Sequence, residues 1–187
     1  MIALLDAKRT SPLNGGPSFS LGHRLLRLAW GMTWGLLAAW TPPPLRPWRI
    51  ALLRIFGARV ASSANVYGSA HIWYPPNLII EEYATVGPRA DIYCMAVIRL
   101  GPYALVSQGA FLCGGTHDID DPHFQLTPRS IRVGAKAWIA ADAFVGPGVN
   151  IGDGAVLGAR AVTTKDLEPW TVYAGNPAKA LRRRSMV

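Results

Sequence analysis

From Val60 onward the chain repeats every six residues, and that period excludes most folds before any other property is considered. Val60, Val66 and Ile72 form one set, and Ile80, Val86 and Ile92 the next. Leu100, Val106 and Leu112 follow, then Val133, Ile139 and Val145, and last Ile151, Leu157 and Thr163. Fourteen of these fifteen positions carry Val, Ile or Leu, and alanine stands four residues after eleven of them. With 26 alanines in 187 residues, chance would place about two there. Six is not a helical period, but it is even, so in extended chain residues i and i+4 point to one side. Each hexad is then a short strand with a large residue on a flat face and a small one near a bend. Glycine follows the aliphatic residue at Gly87, Gly101, Gly134, Gly146, Gly152 and Gly158, where the reading expects a corner that uses its permissive backbone. Three hexads close one triangular coil, and coils stack at about 4.8 Å around a column of Val, Ile and Leu. A sandwich of alternating strands is not expected, because the repeat contains no Asn-Gly hairpin signal.

The breaks in the repeat are as informative. The coils from Val60 and Ile80 each carry two extra residues, Leu78-Ile79 and Ile98-Arg99, and the coil from Leu100 carries fifteen, Asp118 to Arg132. All three insertions follow a third hexad, so all leave from one corner. The long one, DIDDPHFQLTPRSIR, is expected to project as a loop, and loops of this length on a regular scaffold usually carry function. His117 stands at its foot in the run Gly114-Gly-Thr-His-Asp118, beside the acidic Asp118, Asp120 and Asp121. A histidine side chain ordinarily changes charge near neutral pH, which suits removal of a hydroxyl proton. Position alone leaves open a corner histidine with no role. His23, in the N-terminal helical segment, and His71, on the outward face of the first coil, are expected to have none.

Ahead of the repeat, residues 1–58 read as a helical segment. Leu21 to Trp40 is the most apolar stretch, but Arg24 and Arg27 interrupt it and the charge-free part is too short to span a membrane. Trp30, Trp34 and Trp40 with flanking arginines fit either a helix packed on protein or one lying in a membrane interface. Thr41-Pro-Pro-Pro44 stops that helix, and Trp48 to Phe56 reads as a second, ending at Gly57. The first twenty residues carry an early acid and no long apolar run, so the expected location is cytoplasmic, with contact at the inner face of the membrane left open. A formal charge of +8 points to an anionic partner. Aromatics are not interleaved with arginines as base-stacking platforms would be, so no nucleic acid is expected. Cys94 and Cys113 cannot make a disulfide scaffold and are read as packing residues about one coil apart.

The hexads, the Gly114–Asp118 run and the tail Ala174-Gly-Asn-Pro-Ala-Lys179 together resemble the left-handed β-helix (hexapeptide-repeat) acyltransferases, among them the colanic-acid-type exopolysaccharide O-acetyltransferases. Arg54-Ile-Phe-Gly-Ala58, Trp138-Ile-Ala-Ala141 and Val162-Thr-Thr-Lys-Asp166 match as well, so the resemblance covers nearly the whole chain. It implies an all-β-dominated fold, a left-handed parallel β-helix of about five triangular coils over residues 59–167 with the loop at 118–132, and a homotrimer. It also implies O-acetyl transfer from acetyl-CoA to a sugar hydroxyl in surface polysaccharide synthesis. His117 matches the base, which deprotonates the acceptor for direct attack on the thioester; no serine or cysteine sits in a nucleophile motif. Ala141 matches the residue whose backbone N–H meets the oxyanion. Ala141, Ala159, Thr164, Lys165 and Arg182 match the positions that hold coenzyme A, and no metal is implied. Two departures matter: galactoside- and maltose-type relatives carry an aspartate where Cys94 stands, and a glutamate in the loop where this chain has none. The group that orients His117 is therefore open between Asp118 and a backbone carbonyl, and Asp118, Asp120 or Asp121 are expected to contact the acceptor. Asn176-Pro177 reads as a cap and first turn, so residues 168–187 are expected to hold a short C-terminal helix. Two rival readings use the same scaffold. One is a zinc hydro-lyase similar to γ-type carbonic anhydrases, on His71, His117 and His123. The other is a non-catalytic β-solenoid.

Overall fold

The computed structural model describes residues 4–185. The hexads form three parallel sheets that wrap one column. The first face stacks Arg59–Val60, Leu78–Ile80, Ile98–Leu100, Ile131–Val133 and Asn150–Ile151. The second stacks Asn65–Val66, Thr85–Val86, Leu105–Val106, Trp138–Ile139, Val156–Leu157 and Thr171–Ala174, and the third runs from His71–Ile72 to Val162–Thr163. Register pairs like with like, Val66 with Val86 and Val106 with Ile139, so each aliphatic frame residue stacks on its equivalent one coil away. All fifteen frame residues are buried, and Thr163 satisfies its hydroxyl by donating to the Lys165 carbonyl at 2.7 Å.

Four expectations need correction. The solenoid has six turns rather than five: Leu167 pairs with Ile151 on the first face, and Thr171–Ala174 extends the second. The tail is not helical. Lys179–Arg183 turns back antiparallel on Thr171–Ala174, because the last strand would otherwise leave an open ladder edge that pairing satisfies better than a single helical turn. The glycines after the aliphatic residues serve close approach, not unusual torsion. A Cβ on Gly101 would come within 2.9 Å of the Ala135 amide nitrogen, and one on Gly87 equally near Gln108. Finally, Leu78-Ile79 and Ile98-Arg99 lie within first-face strands, as do Ile131 and Arg132. The extra length sits in the corners before them, Pro75–Asn77 being a 3-10 turn.

The N-terminal segment holds α1 (Ala7–Thr10), α2 (Leu21–Leu37) and α3 (Arg46–Ile55). Helix α3 caps the open end of the column with Ile50, Leu52 and Leu53. Buried Arg49 donates to the carbonyls of Val66 (2.7 Å), Pro42 (2.9 Å) and Pro43 (3.0 Å) and to the Thr41 hydroxyl, so its fork is satisfied by neutral acceptors alone. Helix α2 lies against the third face. Trp30 Nε1 donates to Ile72 O (2.6 Å) and Trp34 Nε1 to Gly68 O (2.9 Å), so both indoles face protein and only Trp40 of the three tryptophans is exposed.

Candidate active site

The site is built where the chain leaves the third face after Phe111–Cys113. Gly114 donates its amide to Tyr93 O at 2.9 Å, so its backbone rests on the corner of the coil beneath. A Cβ there would press to 2.8 Å of that carbonyl, and one on Gly115 would overlap the Met95 side chain. The double glycine is therefore the shape that lets the chain cross this corner. Beyond it the insertion is an antiparallel arm rather than an irregular loop: Gly115–His117 pairs with Leu126–Pro128, His117 opposite Leu126. Ile131 then returns to the first face by donating to Val97 O at 3.0 Å.

His117 Nδ1 lies 2.8 Å from the carbonyl oxygen of Phe124. A carbonyl only accepts, so Nδ1 carries a hydrogen, and in the neutral ring the lone pair is therefore on Nε2. The Phe124 ring stacks on the imidazole with centroids 4.2 Å apart and planes at 14°, which fixes its tilt. The orienting group is thus a backbone carbonyl and not an aspartate. Phe124 can present that carbonyl because its φ is +53°, and Asp121 holds the turn: its carboxylate accepts from the amides of His123 (3.0 Å) and Gln125 (3.1 Å). The hydrogen bond from the His123 amide, reinforced by that of Gln125, holds the Asp121 carboxyl below its usual range. Asp118 accepts from the Asp120 amide at 3.1 Å. Of the three acids expected to face the acceptor, Asp118 and Asp121 are engaged by the arm's own backbone, and Asp120 stands exposed near its tip.

Sequence reading missed Phe124 and Gln125. The Gln125 side chain accepts from the Ala7 amide at 2.7 Å and donates to the Leu5 carbonyl at 3.3 Å, tying residues 4–19 to the arm. That N-terminal strap is closed on itself by Leu5 N to Ser18 O at 3.1 Å. Nothing in the local pattern signals a contact 118 positions apart.

The remaining expected residues fall on separate edges. Thr164 and Lys165 follow the third face, on the same edge as the arm, and both are exposed. Ala141 and Ala159 lie on the edge between the second and third faces. The Ala141 carbonyl accepts from Arg160 N at 2.9 Å, while among the described residues its own N–H makes no backbone hydrogen bond. Arg182 is exposed on the last strand, whereas Arg184 donates to the carbonyls of Lys136 (2.9 Å) and Gly154 (3.0 Å) and is fastened to the column. Cys94 lies beneath the arm with Sγ 3.2 Å from the Tyr74 carbonyl, and burial pushes its thiol up to about 12. His71 pairs with Asp91 at 3.0 Å on the third face, away from the arm. Among the described residues no group of three or more His, Cys, Asp or Glu side chains is arranged to hold a metal ion.

No family model matches the chain. A curated relative does: the colanic acid biosynthesis acetyltransferase WcaF of Escherichia coli K12 is 39% identical over 166 residues, 89% of this chain and 91% of that protein. Among solved structures, a hexapeptide-repeat-containing acetyltransferase of Vibrio cholerae complexed with acetyl-coenzyme A superposes with a TM-score of 0.80 at 20% identity, covering 97% of this chain and all of that one. A galactoside acetyltransferase in complex with coenzyme A does so at 0.76 and 22% identity, covering 97% and 92%. The column and its histidine-bearing arm therefore define an enzyme of the hexapeptide-repeat class, a left-handed β-helix acetyltransferase. Within that class the chain belongs to the family of WcaF.

Proposed function

We propose that this acetyltransferase moves the acetyl group of acetyl-CoA to a hydroxyl of a saccharide destined for surface polysaccharide, with His117 as the base. The observation that carries the reading is the 2.8 Å bond from His117 Nδ1 to the Phe124 carbonyl, which leaves Nε2 as the proton acceptor. Nε2 takes the acceptor hydroxyl proton as that oxygen bonds to the thioester carbon. The tetrahedral oxyanion is met by the Ala141 N–H, the C–S bond then breaks, and the proton passes from Nε2 to the departing thiolate.

His117 and Ala141 sit on different edges of one prism, so the base of one copy meets the N–H of a neighbour. This supports a homotrimer with the site between copies. Ala159, Thr164, Lys165 and Arg182 supply the coenzyme A groove, the two cations facing its phosphates. The exposed, arginine-bearing N-terminal helices support a peripheral contact with the inner face of the membrane through residues 21–56. No helix among the described residues is long and apolar enough to cross one. The test is acetyl-CoA turnover against a panel of sugars and glycolipids, with His117→Ala as control. Turnover on a saccharide that the variant loses supports the reading, and equal turnover by both proteins contradicts it. Sedimentation as a monomer would also count against it.

A further inference from the structure

Helix α2 buries one side only. Trp30, Trp34 and Ala38 face the column, while Leu21, Leu25, Leu28, Met32 and Leu36, spaced by three or four residues, form a stripe in which every side chain is more than half exposed. Beside the stripe, between α2 and the third face, runs an open and largely apolar groove of about 590 Å³, with Arg24, Arg27 and Trp73 along it. Gly31 and Gly35 line this groove, and a Cβ on either would meet nothing within 4 Å. Glycine weakens a helix interior relative to alanine, and nothing inside the chain requires it here. The charge is as uneven as the hydrophobicity. Eight of the 19 basic residues lie in the first 59 positions, against one of the 11 acidic ones, Asp6, so this segment carries +7 of the net +8. Arg24 is exposed, and the Arg27 guanidinium lies 4.4 Å from the centre of the Trp73 ring with no carboxylate partner among the described residues.

We infer that the outer face of α2 and its groove dock on an anionic lipid bilayer, the leucine stripe entering the acyl boundary and the arginines meeting the headgroups. The inference rests on the peripheral contact proposed above and specifies its surface and its partner. A two-fold contact of copies through the stripe would bring Arg24 and Arg27 against their own equivalents, whereas an anionic surface complements both the charge and the apolar stripe.

Flotation of the full chain with phosphatidylcholine vesicles, with and without phosphatidylglycerol, tests this. The expected result is binding that is at least about tenfold stronger with phosphatidylglycerol and is lost in high salt. Leu25→Ser/Leu28→Ser/Met32→Ser is expected to weaken it about tenfold or more, with sedimentation and acetyl transfer to a soluble acceptor unchanged. His117→Ala is expected to float as the unmodified protein does, so failure of the chemistry and failure of the docking are read separately. No flotation of the unmodified protein, equal flotation of the triple variant, or a change in its oligomeric state would overturn the inference, the last because the stripe would then join copies.

Discussion

Two edges of the prism repeat one turn, and the third never does so twice. At the edge between the first and second faces the chain turns through Glu81–Ala84, Gly101–Ala104 and Gly134–Ala137, each closed by the alanine amide on the first residue's carbonyl at 3.1 to 3.3 Å. The third residue has positive φ in each, +57° at Tyr83, +59° at Tyr103 and +57° at Lys136, which is the type II turn. The edge between the second and third faces does the same with Arg89, Gly109, Asp142 and Arg160. The edge after the third face carries instead a 3-10 turn at Pro75–Asn77, the bend over Met95 and the His117 arm. Stacking keeps these two edges alike from the second coil on, since each turn lies directly on the next; the first coil's turns, Ala61–Ala64 and Tyr67–Ala70, close with the same hydrogen bond but without positive φ at Ser63 or Ser69. The third edge is free to vary because its residues leave the stack, and it is there that the catalytic candidate stands. The scaffold supplies rigidity and the proposed oxyanion N–H of Ala141, while the proposed base stands on the departure from it.

That contrast can be broken by substitutions at the two kinds of edge. His117→Ala should lower kcat by about 10²–10⁴ in steady-state assays while thermal unfolding stays unchanged, because the imidazole supports no part of the column. Ala104→Leu, at a regular edge where the alanine is fully enclosed, should cost about 1–3 kcal/mol in denaturant unfolding and leave kcat of the folded protein intact. Gln125→Ala releases the N-terminal strap from the arm; kcat is expected to fall about three- to tenfold, the equivalent of one hydrogen bond, with little change in midpoint. A large loss of kcat from Ala104→Leu, or none from Gln125→Ala, would blur the division between edges.

The smallest effect belongs to His71, on the third face but off the arm. Its hydrogen bond to Asp91 raises its pKa, so the folded state holds the proton more tightly than the unfolded one. The stability it gives is present below about pH 6.5 and is lost as pH rises through the raised folded value. Both groups are well exposed, so the size is about 0.5 kcal/mol, read as a slightly flatter Tm-against-pH curve in His71→Ala with kcat unaltered.

The placement of the regular edges was legible in the sequence, although the positive φ falls on Tyr83, Tyr103, Lys136 and their equivalents and not on the glycines that follow the frame residues. At those two edges every one of the ten positions four residues after a frame residue is alanine; at the third edge the same positions hold Pro76, Ala96, Thr116, Val149 and Leu167. His117 could be found because it marks a break in the period. Its partner could not, because a backbone carbonyl has no residue signature, and Gln125 meets Leu5 and Ala7 through contacts that only folding creates. The C-terminal helix was misread for a related reason: Asn176-Pro177 has good local capping chemistry, but the open edge of Thr171–Ala174 imposes a strand. Trp30 and Trp34 likewise fitted a membrane face by composition, and their N–H groups went to column carbonyls instead.

The most direct test is subunit complementation between His117→Ala and Ala141→Pro. Proline suits this turn, since Pro88, Pro102 and Pro169 already occupy the equivalent position, and it removes the N–H without strain. Each variant alone should be nearly inactive. Unfolded together and refolded in equal amounts, they should recover about a quarter of the unmodified activity, because random assembly gives that share of interfaces an intact base facing an intact N–H. A mixture no more active than either variant alone would contradict a site assembled from two copies.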